Sequence, residues 1–191
     1  MTMQKIILAS QSPRRKQLLE WAEVPFDILV KETDETYPGG LAVADIPVHI
    51  ARNKALAVQQ DVEPGTVILA ADTVVVLDDR IIGKPKDRQD AIDILTSLSG
   101  QLHQVMTGVV ILHNGKETAF ADITSVAFHP LTPEQIHFYV DKYQPYDKAG
   151  AYAIQEWIGV VGIKSVNGDF YNVMGLPVSR VVQALATLQT D

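Results

Sequence analysis

The chain has no cysteine among its 191 residues. That absence excludes disulfides, thiolate metal sites and a cysteine nucleophile, and it makes the cytoplasm the expected compartment. Long hydrophobic runs are missing as well: none approaches the roughly 18 to 20 residues of a membrane span. Met1-Thr2-Met3-Gln4-Lys5 leads straight into a short strand-like run, without the apolar core or cleavage site expected of a secretory signal. Positive charge is in deficit. With 16 Lys and Arg against 23 Asp and Glu, the net charge is −7, which argues against general binding to nucleic acid. It leaves room for a small phosphate ligand, which needs only a local cluster of cations. No GxxxxGKS/T or GxGxxG is present, so a P-loop and a Rossmann dinucleotide site have no support. The five histidines form no HExxH or close pair, and GxSxG is absent, which leaves zinc and serine-hydrolase chemistry without a basis.

What remains is an ordinary folded composition, 47% hydrophobic and 20% charged, in a chain long enough for one α/β domain or a domain with a modest second lobe. Lys5–Ala9 and Phe26–Val30 read as strands around a helix over Pro13–Ala22. Val48–Gln59 has a helical pattern with Ile50, Leu56 and Val58 apolar. Val67–Leu77 is a long apolar run interrupted by Asp72 and Thr73, and Asp78-Asp79 turns it into Arg80-Ile81-Ile82. A helix over Asp87–Leu98 stops near Ser99-Gly100. Asn114-Gly115 between Val109–Leu112 and Ala119–Phe128 is a hairpin signal. Thr132 caps a short helix over Pro133–Val140, the small and polar Asp147–Gln155 precedes Trp157–Ile163, Asn167-Gly168 marks a turn, and Pro177–Leu188 is a closing helix. No repeat, low-complexity tract or linker interrupts the series. The alternation predicts an α/β protein with a mixed sheet and allows two lobes around a groove.

Ser10-Gln11-Ser12-Pro13-Arg14-Arg15 follows the first strand directly. Ser12 is suited to cap a helix and Pro13 to its first position. Arginines in a first turn oppose the helix dipole, a cost that makes sense if a phosphate sits among them. The alternative is an ordinary capped helix with solvated arginines. Asp72, flanked by apolar residues, is costly as a dry carboxylate unless a cation or hydrogen bonds compensate. It is therefore a metal ligand or base, or else a structural aspartate bonded to backbone. Glu32, Asp34 and Glu35 are hard oxygen donors suited to Mg²⁺ or Mn²⁺, or simply a solvated acidic loop. Lys54 and Lys84 are phosphate-contact candidates, Lys84 the sharper because Gly83 and Pro85 constrain its backbone. Asp147–Gln155 combines small residues, which allow close approach of a flat ligand, with Gln155, a donor and acceptor.

Taken together, these segments resemble the Maf family of nucleoside triphosphate pyrophosphatases. The resemblance rests on Ser10–Arg15, Ala71-Asp72-Thr73, Gly83-Lys84-Pro85, Ser99–Gly108, Asp147–Gln155 and Gly168–Pro177, six motifs in order over nearly the whole chain. It implies one Maf-like domain over 1–191: an elongated central mixed β-sheet flanked by helices, with two lobes around a cleft, as in inosine triphosphate pyrophosphatases. It also implies hydrolysis of a nucleoside triphosphate to monophosphate and pyrophosphate with a divalent cation, in a homodimer. Asp72 matches the family's catalytic position. Arg14, Thr73 and Gln155 match the positions that separate substrate subgroups, and they resemble the one acting on dTTP and UTP; the 7-methyl-GTP subgroup lacks the Asp147–Gln155 pattern. Ala153 departs from the family, which usually has glycine there, and would be strained if its φ were positive.

On this resemblance, Glu35 and Asp72 are expected to hold Mg²⁺ or Mn²⁺, with Asp72 orienting or deprotonating the attacking water. Arg14, Arg15, Lys54 and Lys84 would grip the triphosphate, Ser10 would position an oxygen, Gln155 would read the base, and Thr73 would support Asp72 or touch the substrate. A nucleotide-binding regulator of cell division, or a pyrophosphatase for modified nucleotides, would use much of the same machinery.

Overall fold

A computed structural model describes residues 4–188. In chain order the elements are β1 (Ile6–Leu8), α1 (Pro13–Trp21), β2 (Phe26–Ile28), α2 (Asp45–Gln59), β3 (Val67–Leu77), β4 (Arg80–Ile82), α3 (Arg88–Leu98) and β5 (Leu102–His113). They continue with β6 (Lys116–Phe128), α4 (Pro133–Tyr143), a single 3₁₀ turn at Ala149–Ala151, α5 (Trp157–Gly162), β7 (Ile163–Asn167), α6 (Phe170–Met174) and α7 (Val178–Thr187). One mixed sheet runs β2-β1-β3-β5-β6-β7, with β4 paired to β3. β1 pairs in parallel with both neighbours, Ile6 opposite Phe26 and opposite Val67. β4 returns antiparallel to β3 through Asp78 and Asp79, both at positive φ, a conformation that aspartate tolerates in two-residue hairpins. No helix among the described residues is long and apolar enough to cross a membrane.

The chain folds into two compact units. The first comprises residues 1–72, 107–122 and 175–191. Its core lies where Ala51, Ala55 and Val58 of α2 meet Ala9, Ile68, Ala70, Val110 and Leu112. The alanines let the helix come close, and Gly108 lets it come closer still: a Cβ there would lie 2.2 Å from Val48 N. α2 starts three residues earlier than its pattern predicts, because Pro47 fits a first helical turn. Leu56, expected on the apolar side, is exposed. α7 buries Val181 and Leu185, while Arg180 stacks over Phe120 and donates to the Ala121 carbonyl at 3.0 Å.

The second unit comprises residues 73–106 and 123–174. α4 opens with a reciprocal capping box between Thr132 and Gln135 and runs three residues past its predicted end. His103, Phe128 and Tyr152 form a buried aromatic cluster in which His103 Nε2 lies 2.7 Å from the Tyr152 hydroxyl. Burial holds the His103 pKa down at about 4 and pushes the Tyr152 phenol up. α5 and α6 are too short to show a helical period, and α6 was not foreseen. Its Asn172 is fully buried and donates to Val105 O at 3.1 Å and Thr124 Oγ1 at 2.9 Å, which ties the segment down.

Candidate active site

Two clusters of predicted residues form within the first unit. At the start of α1, Ser12 caps the helix and no acidic residue occupies the first turn. Ser10 and Arg15 are both buried and bonded to one another: Arg15 Nη1 donates to Ser10 Oγ at 3.1 Å, and Ser12 N donates to the same oxygen at 3.3 Å. Arg15 Nε donates to the Gly175 carbonyl at 2.8 Å, so the guanidinium ties α1 to the chain just before α7. Burial lowers the Arg15 pKa; Asp72 opposes that shift, Arg14 adds to it and Glu35 opposes it. An arginine remains charged under such a shift, so these four side chains share one electrostatic neighbourhood.

Lys54 is the second cluster's centre. Its Nζ lies 2.7 Å from Asp72 Oδ1 and 2.8 Å from Glu35 Oε1. Asp72 and Lys54 are mostly buried, while Glu35 reaches in from a half-exposed position. The costly carboxylate inside β3 is thus compensated by an ammonium from α2. Lys54, a phosphate-contact candidate from the sequence, also draws two carboxylates together. Asp34 instead closes a local turn by accepting from Thr36 N at 2.9 Å, and Glu32 is exposed. Among the described residues no three His, Cys, Asp or Glu side chains form a metal-holding group, so an ion on Asp72 and Glu35 would need further donors.

Thr73, Lys84 and Gln155 lie in the second unit. Thr73 follows Asp72 on β3 and therefore points to the opposite face of the strand. Lys84 is exposed after β4, next to the buried Pro85. Its neighbour Gly83 accepts from Gly150 N at 3.1 Å, which joins the GKP segment to the Asp147–Gln155 loop. Gly150 and Ala151 are both left-handed, at φ of 71° and 57°. A Cβ at Gly150 would meet Val75 at 2.8 Å, so the loop backbone is pressed onto β3. Gln155 stands exposed at the far end of this loop.

The family model described as "Maf-like protein" matches residues 5–188. The chain belongs to the Maf family. Among its relatives, the Bacteroides thetaiotaomicron protein named dTTP/UTP pyrophosphatase is 47% identical over 185 residues, covering 96% of each chain. The Cytophaga hutchinsonii protein of the same name is 51% identical over 180 residues, 94% of this chain and 82% of that one. In fold, the chain is similar to the Staphylococcus aureus Ham1 protein, with a TM-score of 0.52 at 14% identity over 98% of this chain and 99% of the other.

The Maf motifs thus fall into groups that the structure ties together differently. Ser10 bonds Arg15, and Lys54 bonds both Glu35 and Asp72, whereas Thr73, Lys84 and Gln155 belong to the other unit. Ala153, the one departure from the family pattern, has no positive φ and carries no strain; the left-handed alanine is Ala151. Sequence reasoning missed Tyr139 and Glu156, whose side chains hydrogen-bond beside Gln155. The available signal was a tyrosine in the apolar stripe of α4, which needs a partner for its hydroxyl when buried.

Proposed function

We propose that this Maf protein hydrolyses dTTP and UTP to the monophosphate and pyrophosphate, and that its whole length acts as one Maf-like domain. The observation that carries the reading is the convergence of Asp72 and Glu35 on Lys54, in the electrostatic neighbourhood of Arg14 and Arg15. Water attacks the α-phosphorus, the bond from that phosphorus to the bridging oxygen of the β-phosphate breaks, and pyrophosphate leaves. The water's proton passes to Asp72 or to solvent. The cations neutralise the triphosphate, and such displacements are driven mainly by positioning and charge neutralisation.

Two carboxylate oxygens within hydrogen-bonding distance of one nitrogen also fit a hard divalent cation, which commonly takes one or two carboxylates together with substrate phosphates. Mg²⁺ or Mn²⁺ bound by Asp72 and Glu35 would supply charge neutralisation at the phosphates. Ser10, Arg14, Arg15, Lys54 and Lys84 are assigned to the substrate's phosphate chain, and Arg15 acts from a buried position. Thr73 is assigned to the substrate and Gln155 to the base: uracil and thymine offer a carbonyl acceptor beside N3–H, which one amide can match. Cytosine reverses that order. The relatives' shared name supports this substrate class, and the family resemblance supports a cytoplasmic homodimer with a house-cleaning role.

The test is pyrophosphate release from a panel of nucleoside triphosphates with Mg²⁺ or Mn²⁺, with Asp72→Asn run beside the parent protein. Turnover of dTTP and UTP that is lost in Asp72→Asn, with the fold kept, supports the reading. Nucleotide binding without turnover replaces it with a regulator.

A further inference from the structure

The turn that carries Gln155 is fastened on both sides by one buried phenol. Tyr139, on α4, has no exposed surface. Its hydroxyl accepts from Ala153 N at 3.1 Å and donates to the Glu156 carboxylate. Between those points, Glu156 N donates to Ala153 O at 3.1 Å, which closes a turn with Ile154 and Gln155 at its centre. Lys148, itself buried, adds its ammonium 3.7 Å from Glu156. Gly159 of α5 seats the turn from the other side: a Cβ there would lie 1.7 Å from Ile154 O. Ile154 is buried and Gln155 is exposed. Exposed loop tips are ordinarily the tolerant, mobile parts of a domain. This one is held by a buried side chain, by its own backbone and by a helix packed at contact distance, and the residue it presents is the one assigned to the base.

We propose that Tyr139 is a positioning residue for base selection, acting through Ala153 N–H and Glu156 to hold the direction in which Gln155 meets the pyrimidine. The proposal rests on the assignment of Gln155 to base reading. A site discriminates by hydrogen bonding only as sharply as its groups are held, and small misplacements cost selectivity. Tyr139→Phe keeps the ring and its packing and removes only the oxygen that joins the two flanks of the turn.

The experiment measures kcat and KM for UTP and CTP in the parent, Tyr139→Phe, Gln155→Ala, the double variant and Glu156→Ala, with the thermal midpoint of each. The expected result for Tyr139→Phe is a fall of about tenfold in the UTP-to-CTP ratio of kcat/KM, carried by a raised KM for UTP with kcat nearly held. Glu156→Ala moves the ratio in the same direction, and Glu156→Gln, which keeps an oxygen for Tyr139, restores it. The double variant is no less selective than Gln155→Ala alone, because both changes act through one group. A Tyr139→Phe protein with the parent's ratio overturns the proposal, even if its thermal midpoint drops or it loses turnover equally on both substrates. Should Tyr139→Phe fail to fold, the Glu156 pair decides in the same way. If Gln155→Ala itself retains the parent's ratio, the base-reading assignment fails, and the proposal with it, at a variant that does not touch Tyr139.

Discussion

Lys54 holds two negative charges with one positive, and removing it takes away the ammonium that both Asp72 and Glu35 contact. Lys54→Met is expected to lower kcat/KM by about 10²-fold, the scale of losing one preorganised charge donor, measured by steady-state pyrophosphate release. Arg15 makes a different point. Its bonds to Gly175 O and Ser10 Oγ use separate nitrogens of one planar fork. Arg15→Lys keeps the charge but has a single nitrogen, so unfolding in urea should show a loss of about 1–3 kcal/mol. His103 sets a pH response. Its folded-state pKa is about 4 against an ordinary 6.5, so between those values the unfolded chain takes up a proton that the folded chain refuses. Stability therefore falls as pH drops from 6.5 to about 4, by about 3 kcal/mol from this group, and has no His103 contribution to lose above that window. His103→Gln cannot titrate, and urea midpoints compared at pH 7 and pH 5 should show a flatter dependence. At this scale Asp72 was legible because a carboxylate interrupts an apolar strand. The Lys54–Asp72 ion pair was not, because the two residues lie 18 apart in the chain and only the packing of α2 against β3 brings them together.

Elements with a strong local signal were readable in the sequence. β3 spans the predicted residues, and the Asn114-Gly115 hairpin joins β5 to β6 at a turn where both residues have positive φ. α3 ends where Gly100 adopts a left-handed conformation. Elements held by tertiary bonds were not readable: α6 has five residues and is tied by Asn172, and α5 has six and rests its Gly159 on Ile154. The placement of α2 depends on one absent side chain. Gly108→Ala would put a methyl group within 2.6 Å of the Pro47 carbonyl oxygen, and the helix would have to withdraw. A loss of about 2 kcal/mol in unfolding free energy is expected, together with a raised KM, because the same helix carries Lys54.

On the scale of the whole molecule, the chain passes from one unit to the other four times, at 72/73, 106/107, 122/123 and 174/175. The α/β class and mixed sheet were legible from the alternation of apolar runs. Two lobes were allowed for, but where they divide was not legible, because three of the four boundaries fall inside β3, β5 and β6, where nothing in composition changes, and the fourth follows α6 directly. The first unit recruits its last helix from the end of the described chain. Deleting residues 175–191 removes the carbonyl that anchors Arg15 and the buried Val181 and Leu185 of α7. Hydrogen exchange should then show lost protection in β1, α1 and α2.

The loop ending at Gln155 takes its supports from Gly83, Val75, Tyr139 and Glu156, all in its own unit, whereas Glu35, Lys54 and Asp72 are bonded to one another in the other. Tyr139 and Glu156 hold the loop's end, and Lys54 holds the carboxylates. On the proposed assignment of Gln155 to the base and of Asp72 to hydrolysis, selection has two separate handles, and a lineage can change its taste in pyrimidines while inheriting its hydrolytic chemistry intact.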